Sequence, residues 1–145
     1  MQQSRSTSIT HILLRILKNL LKDDNLKEPK LVKIENQMSQ FPNDATGDAL
    51  NAFKKNGFDL TKPMEIDFFI AIPSEEIGEK ISTKVKRLGC KASVEQDDVT
   101  KEWTCYCTNT MIPFYDDIIK FEEDLNNIAS QYGGYTDGFG SFGNV

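Results

Sequence analysis

The sequence predicts an α+β domain in which a β-α-β-β-α-β succession builds a four-stranded antiparallel sheet with both helices on one face. Three observations point there. Residues 65–72 and 103–111 alternate in side-chain character with a period of two, residues 74–89 and 113–132 repeat apolar side chains every three or four positions, and one glycine-aromatic stretch is left to close the sheet. With 145 residues, 39% apolar and 27% charged, the chain is large enough for one domain with a core and has the composition of an ordinary soluble protein.

The elements follow in chain order. In "ITHILLRILKNLL" (9–21), Ile9, Ile12, Leu13, Ile16, Leu17, Leu20 and Leu21 form one apolar stripe, the mark of an amphipathic helix. Such a stripe needs cover from the same chain, a second subunit, another protein or a membrane surface. Packing or self-association, and with it a homo-oligomer, is the expectation for Ile12, Leu13, Ile16, Leu17 and Leu20. Arg15 and Lys18 interrupt the run and no small-residue cleavage site follows, which argues against a signal peptide. No apolar stretch is long enough to span a bilayer, so a cytoplasmic location is the default. Residues 22–47, broken by Pro29 and Pro42, read as linker, which divides the chain into 1–47 (helix and linker) and 48–145 (the domain).

Asp44 or Thr46 is placed to cap a short helix with Ala49, Leu50 and Phe53 inward and Gly57 at its end. "EIDFFIAI" (65–72) is a strand with Ile66, Phe68, Ile70 and Ile72 on one face and Phe69 and Ala71 on the other. Ser74 caps the next helix, which points Ile77, Ile81, Val85 and Leu88 inward and stops at Gly89. "CKASVE" (90–95) and 103–111 form a hairpin around "QDDVTKE", with Trp103, Cys105 and Cys107 on one face and Thr104, Tyr106 and Thr108 on the other. Pro113 belongs to the first turn of a long helix burying Phe114, Ile118, Phe121, Leu125, Ile128 and Tyr132. Gly133 and Gly134 then turn the chain into "YTDGFGSF", where Gly138 and Gly140 permit a bulge or a close backbone approach.

Charge narrows the functional classes. Residues 1–35 carry seven basic and four acidic side chains, and residues 36–145 carry ten and eighteen. An acidic body repels phosphate backbones, so direct nucleic-acid binding is not expected, and base stacking on Trp103, Tyr106 or Phe139 would lack the surrounding cations. Cys90, Cys105 and Cys107 read as three free thiols; with His11 the only histidine, they make a poor metal site, and no metal or cofactor is expected. The runs Glu75, Glu76, Glu79 and Glu122, Glu123, Asp124 read as solvated helix faces, so no catalytic residue is assigned. Asp67 and Asp137 differ, because each interrupts an apolar or glycine-rich strand. They are candidates for a shared polar edge, for holding the glycine turn, or for touching a partner.

The runs "FKKNGFDLTKPMEIDFFIAIPSEE" (53–76), "RLGCKASVE", "EWTCYCTNTMIP" and "ASQYGGYTDGFG" resemble the regulator of ribonuclease activity B family over about residues 48–142. That family ends on a glycine pair followed by an acidic residue, tyrosine, aspartate, glycine, tryptophan and glycine. Gly133, Gly134, Asp137, Gly138 and Gly140 match, while Tyr135, Thr136 and Phe139 stand at the acidic, tyrosine and tryptophan positions. The resemblance implies a ferredoxin-like sandwich and a non-catalytic, cofactor-free protein that binds a bacterial endoribonuclease and restrains RNA cleavage. Asp67, Phe69, Trp103, Asp137, Gly138, Phe139 and Gly140 are the candidates for partner binding or for defining the fold. A structural or interaction module unrelated to ribonuclease stays open, as do a single-stranded nucleic-acid binder and an enzyme.

Overall fold

A computed structural model describes residues 40–144. The apolar helix expected at 9–21, with Ile12, Leu13, Ile16, Leu17 and Leu20, lies outside the described residues. The elements are α1 (Ala45–Lys55), β1 (Met64–Ile72), α2 (Glu75–Val85), β2 (Lys91–Gln96), β3 (Trp103–Met111), α3 (Tyr115–Ser130) and β4 (Tyr135–Gly140). The sheet order is β2-β3-β1-β4 and every neighbouring pair is antiparallel, which is the ferredoxin-like arrangement.

Alternation along β1 decides where the core sits. Met64, Ile66, Phe68, Ile70 and Ile72 are buried, while the residues between them are half-buried or exposed. The buried face packs with Cys105 and Cys107 of β3, Ile81 and Val85 of α2, and Ile118, Leu125 and Ala129 of α3. Removing a side chain such as Phe68 or Ile70 from water contributes about 1.5–3 kcal/mol, and Phe68 adds an edge contact to Phe121 at 4.8 Å between ring centroids. Helix α1 caps this layer: Leu50 is fully buried, and the Tyr115 hydroxyl donates to the Asp44 carboxylate, tying α1 to α3.

Side chains and glycines define the ends of the elements. Asp44 caps α1 by accepting the Gly47 N–H at 2.8 Å, and Thr46 lies inside the first turn instead. Ser74 accepts the Ile77 N–H at 3.3 Å, and α2 tightens into a 3-10 turn over Lys86–Leu88 before Gly89, at φ +92°, releases the chain. Leu88, expected inward, is 41% exposed, because it lies in this 3-10 turn, where the α-helical spacing that set the inward face no longer holds. Pro113 is buried but precedes the first helical residue by two positions; Phe114 is the N-cap, with no side-chain hydrogen bond, and Asp116 and Asp117 occupy the first turn at the favourable end of the helix dipole.

The turn from α3 into β4 needs both of its glycines. Gly133 sits at φ +78°, and the Gly134 N–H donates to the Ala129 carbonyl at 3.0 Å. A Cβ on Gly134 would come within 2.9 Å of the Ala71 carbonyl oxygen, so only glycine lets β4 start this close to β1. Asn126 of α3 fixes the strand by accepting the Thr136 N–H at 3.1 Å. Beyond β4, the Asn144 amide bonds both the N–H of Asp59 (3.0 Å) and its carbonyl (2.8 Å), clasping the C-terminal segment to the loop before β1.

Candidate functional site

The ladder registers map the sheet face turned away from the helices. One row across the strands reads Lys91, Thr108, Asp67 and Gly140, and the next reads Ser93, Tyr106 and Phe69, ending on the bulge at Asp137 and Gly138. A third reads Glu95, Thr104, Ala71 and Tyr135. No helix among the described residues packs on these rows; the half-buried rings of Phe69 and Tyr106 meet edge to face at 5.6 Å in their centre. Tyr135 is 57% exposed at the margin.

Carboxylates surround that aromatic centre. Asp67 accepts the Thr108 hydroxyl at 2.5 Å, which orients its side chain on the open face. Glu95 and Asp137 are exposed on the two edge strands. Lys91, the one basic residue in these rows, pairs with Glu65 at 3.4 Å with both side chains largely in solvent, an arrangement worth at most about 1 kcal/mol. At one end of the face, Ala71, Pro73, Lys101, Trp103, Tyr135 and Asp137 line a shallow groove of about 340 Å³. Lys101 adopts φ +64° there, in a hairpin loop held by the Asp97 carboxylate, which accepts the N–H groups of Thr100 (2.7 Å) and Val99 (2.8 Å). Those two donors hold the Asp97 carboxyl below the usual carboxylate range.

The residues singled out in the sequence divide between the two faces. Asp67, Phe69 and Gly140 share the open face, and Asp137 and Gly138 form its bulged edge. Gly140 lies beside the Phe69 ring, which a Cβ there would meet in ordinary van der Waals contact at 3.5 Å. Trp103 pairs with Ile72 and Phe139 with Phe68, so both lie on the helix-facing side against the core. Trp103, Tyr106 and Phe139 therefore do not form one stacking platform. Asp67 and Asp137 do not hold the glycine turn either: Asp67 binds Thr108, and the Asp137 carboxylate makes no hydrogen bond among the described residues.

Two features escaped the sequence reading. One is the Phe69–Tyr106 pair, which depends on the β1–β3 register. The other is Phe142, 98% exposed while Ser141 and Asn144 are pinned by hydrogen bonds to the Glu65 carbonyl (2.6 Å) and to Asp59. Its only sequence signal is an aromatic residue between a serine and a glycine after the last strand.

The three thiols meet inside the core. Cys90, Cys105 and Cys107 are free and buried. Contact with Cys105 and Cys90, together with burial, pushes the Cys107 thiol far up, so it stays protonated. Among the described residues no group of three or more histidine, cysteine or acidic side chains is arranged to hold a metal ion, and no helix is long and apolar enough to cross a membrane. Glu75, Glu76 and Glu79 lie exposed along α2.

The described residues thus form a small α+β sandwich with one aromatic and acidic sheet face that no other described element covers. The chain belongs to the family described as Regulator of ribonuclease activity B, whose model matches residues 43–141. Among curated proteins no match was found. Membership supports a role in regulating ribonuclease activity.

Proposed function

We propose that this chain is a non-catalytic regulator that binds an endoribonuclease through its open sheet face and slows RNA cleavage. The observation that carries the reading is the face itself, uncovered among the described residues, with Phe69 and Tyr106 central and Asp67, Glu95 and Asp137 around them. A rigid aromatic centre with a polar rim has the anatomy of an interface whose affinity comes from a few anchors. The strands hold both rings in place before binding, so little side-chain freedom is lost on association.

Family membership supports a ribonuclease as the target, and the acidic surface suits the basic surface of a protein that handles RNA. The test combines the full chain with the endoribonuclease of its source cell and measures complex formation and the cleavage rate of a defined RNA. The expected result is a stoichiometric complex with slowed cleavage. Absence of a complex together with unchanged cleavage overturns the reading.

A further inference from the structure

We infer that the open face recognises an arginine-rich segment of its protein partner, with guanidinium groups stacking on Phe69 and Tyr106 and pairing with Asp67, Glu95 and Asp137. This rests on the docking reading above and adds the chemistry of the occupant. Three carboxylates on three different strands point to a cationic ligand, and the one lysine in the mapped rows is already paired with Glu65. Because Phe69 and Tyr106 stand edge to face, a planar cation has a ring surface beside a carboxylate within one or two ladder positions. Arginine fits both demands, since its flat guanidinium stacks and also binds a carboxylate with two parallel N–H groups. A lysine ammonium offers only a point charge.

The small residues Ser93, Thr104, Ala71 and Gly140 keep the floor around the rings low, so a chain can lie across the strands. Two other occupants fit less well. Aromatic residues on the two central strands of a four-stranded sheet are also how some domains stack RNA bases, but such domains hold phosphates with cations, and here Asp67, Glu95 and Asp137 outnumber Lys91 and Lys101 around the rings. A second copy meeting face to face would set these carboxylates against their own counterparts.

The test measures binding of the full chain to a fluorescent twelve-residue peptide alternating arginine and glycine, to its lysine counterpart and to a single-stranded RNA twelve-mer. Asp67→Asn/Glu95→Gln/Asp137→Asn is compared with Glu75→Gln/Glu76→Gln/Glu79→Gln, which removes the same charge from α2. The inference expects the face triple to weaken arginine-peptide binding at least about tenfold and the helix triple to change it less than about twofold. It also expects the lysine peptide to bind several-fold more weakly than the arginine one. Tyr106→Ala, which leaves the charge unchanged, is expected to lower affinity about three- to tenfold.

Equal losses from the two triples, or RNA binding tighter than the arginine peptide, overturn the inference. A chain that binds the endoribonuclease through this face but ignores the arginine peptide overturns the inference alone. A chain that binds the peptide here but no endoribonuclease overturns the proposed function and leaves the inference standing.

Discussion

Phe68 and Phe69 are neighbours in sequence and opposites in environment, so truncating each in turn tests the division of the sheet into a core face and a contact face. Phe68 is fully buried, with Phe121 and Phe139 at 4.8 and 5.8 Å between ring centroids. Phe68→Ala leaves a cavity between two rings and should cost about 3–5 kcal/mol. That is a large share of the roughly 5–15 kcal/mol that holds a domain of this size together, and it lowers Tm by roughly 15–30 °C. Phe69 is half-buried with one edge contact, to Tyr106. Its loss removes about 0.5–1.5 kcal/mol of ring pairing and about half of a side chain's burial, so Phe69→Ala should cost about 1–3 kcal/mol. Urea unfolding followed by circular dichroism reads both values, and partner binding is measured on the same samples. The expected outcome is a crossed pattern, in which Phe68→Ala damages stability and Phe69→Ala damages binding. If Phe69→Ala were as destabilising as Phe68→Ala, the outer face would be covered and the reasoning would fail.

Gly134→Ala brings a methyl group within 2.9 Å of the Ala71 carbonyl and should destabilise by about 1–3 kcal/mol, read as a lower urea midpoint with unchanged slope. Asn144→Ala opens the clasp between the C-terminal segment and Asp59; a loss of about 1–2 kcal/mol, with faster amide exchange confined to residues 59–63 and 141–144, is expected. Burial, only partly offset by a hydrogen bond with Thr46, raises the Glu122 carboxyl above its ordinary 4.5. The folded state thus favours the protonated form, a contribution fully present below pH 4.5 and lost as the pH rises through the elevated value. Glu122→Gln should accordingly stabilise at neutral pH, by under about 1 kcal/mol for a side chain half in water, and the gain should vanish below pH 4.5 in a Tm-against-pH series.

The sequence was most legible where one period governed a long run. The alternation of β1 and the bounds Trp103–Met111 of β3 could be read residue by residue, because a half-buried strand allows each side chain one face. Phe139 shows where that logic stops. Strict alternation from Tyr135 would put Phe139 on the open face, but two residues, Asp137 and Gly138, oppose Phe69 alone, and this bulge turns Phe139 into the core. Gly138 at φ +97° was the available signal, and a glycine in a strand does not say which way the next side chain turns.

Leu88 fails for a related reason, since α-helical spacing predicts burial only while the chain stays α-helical. The Asn144 clasp joins residues 85 apart through backbone groups that carry no sequence signature. The candidate face was half legible: Asp67 and Phe69 stood out within their strand, but the facing Tyr106 and Thr108 depend on register, which the length of the β2–β3 hairpin and the path of α2 set together.

Site-specific photo-crosslinking in the source cell tests the central claim most directly, with a photoreactive side chain placed in turn at Tyr135 on the open face and at Thr83 on the exposed side of α2. The account predicts that the probe at position 135 traps an endoribonuclease and the probe at position 83 does not. Trapping only from position 83, or none from either while the ribonuclease is present and active, would contradict it.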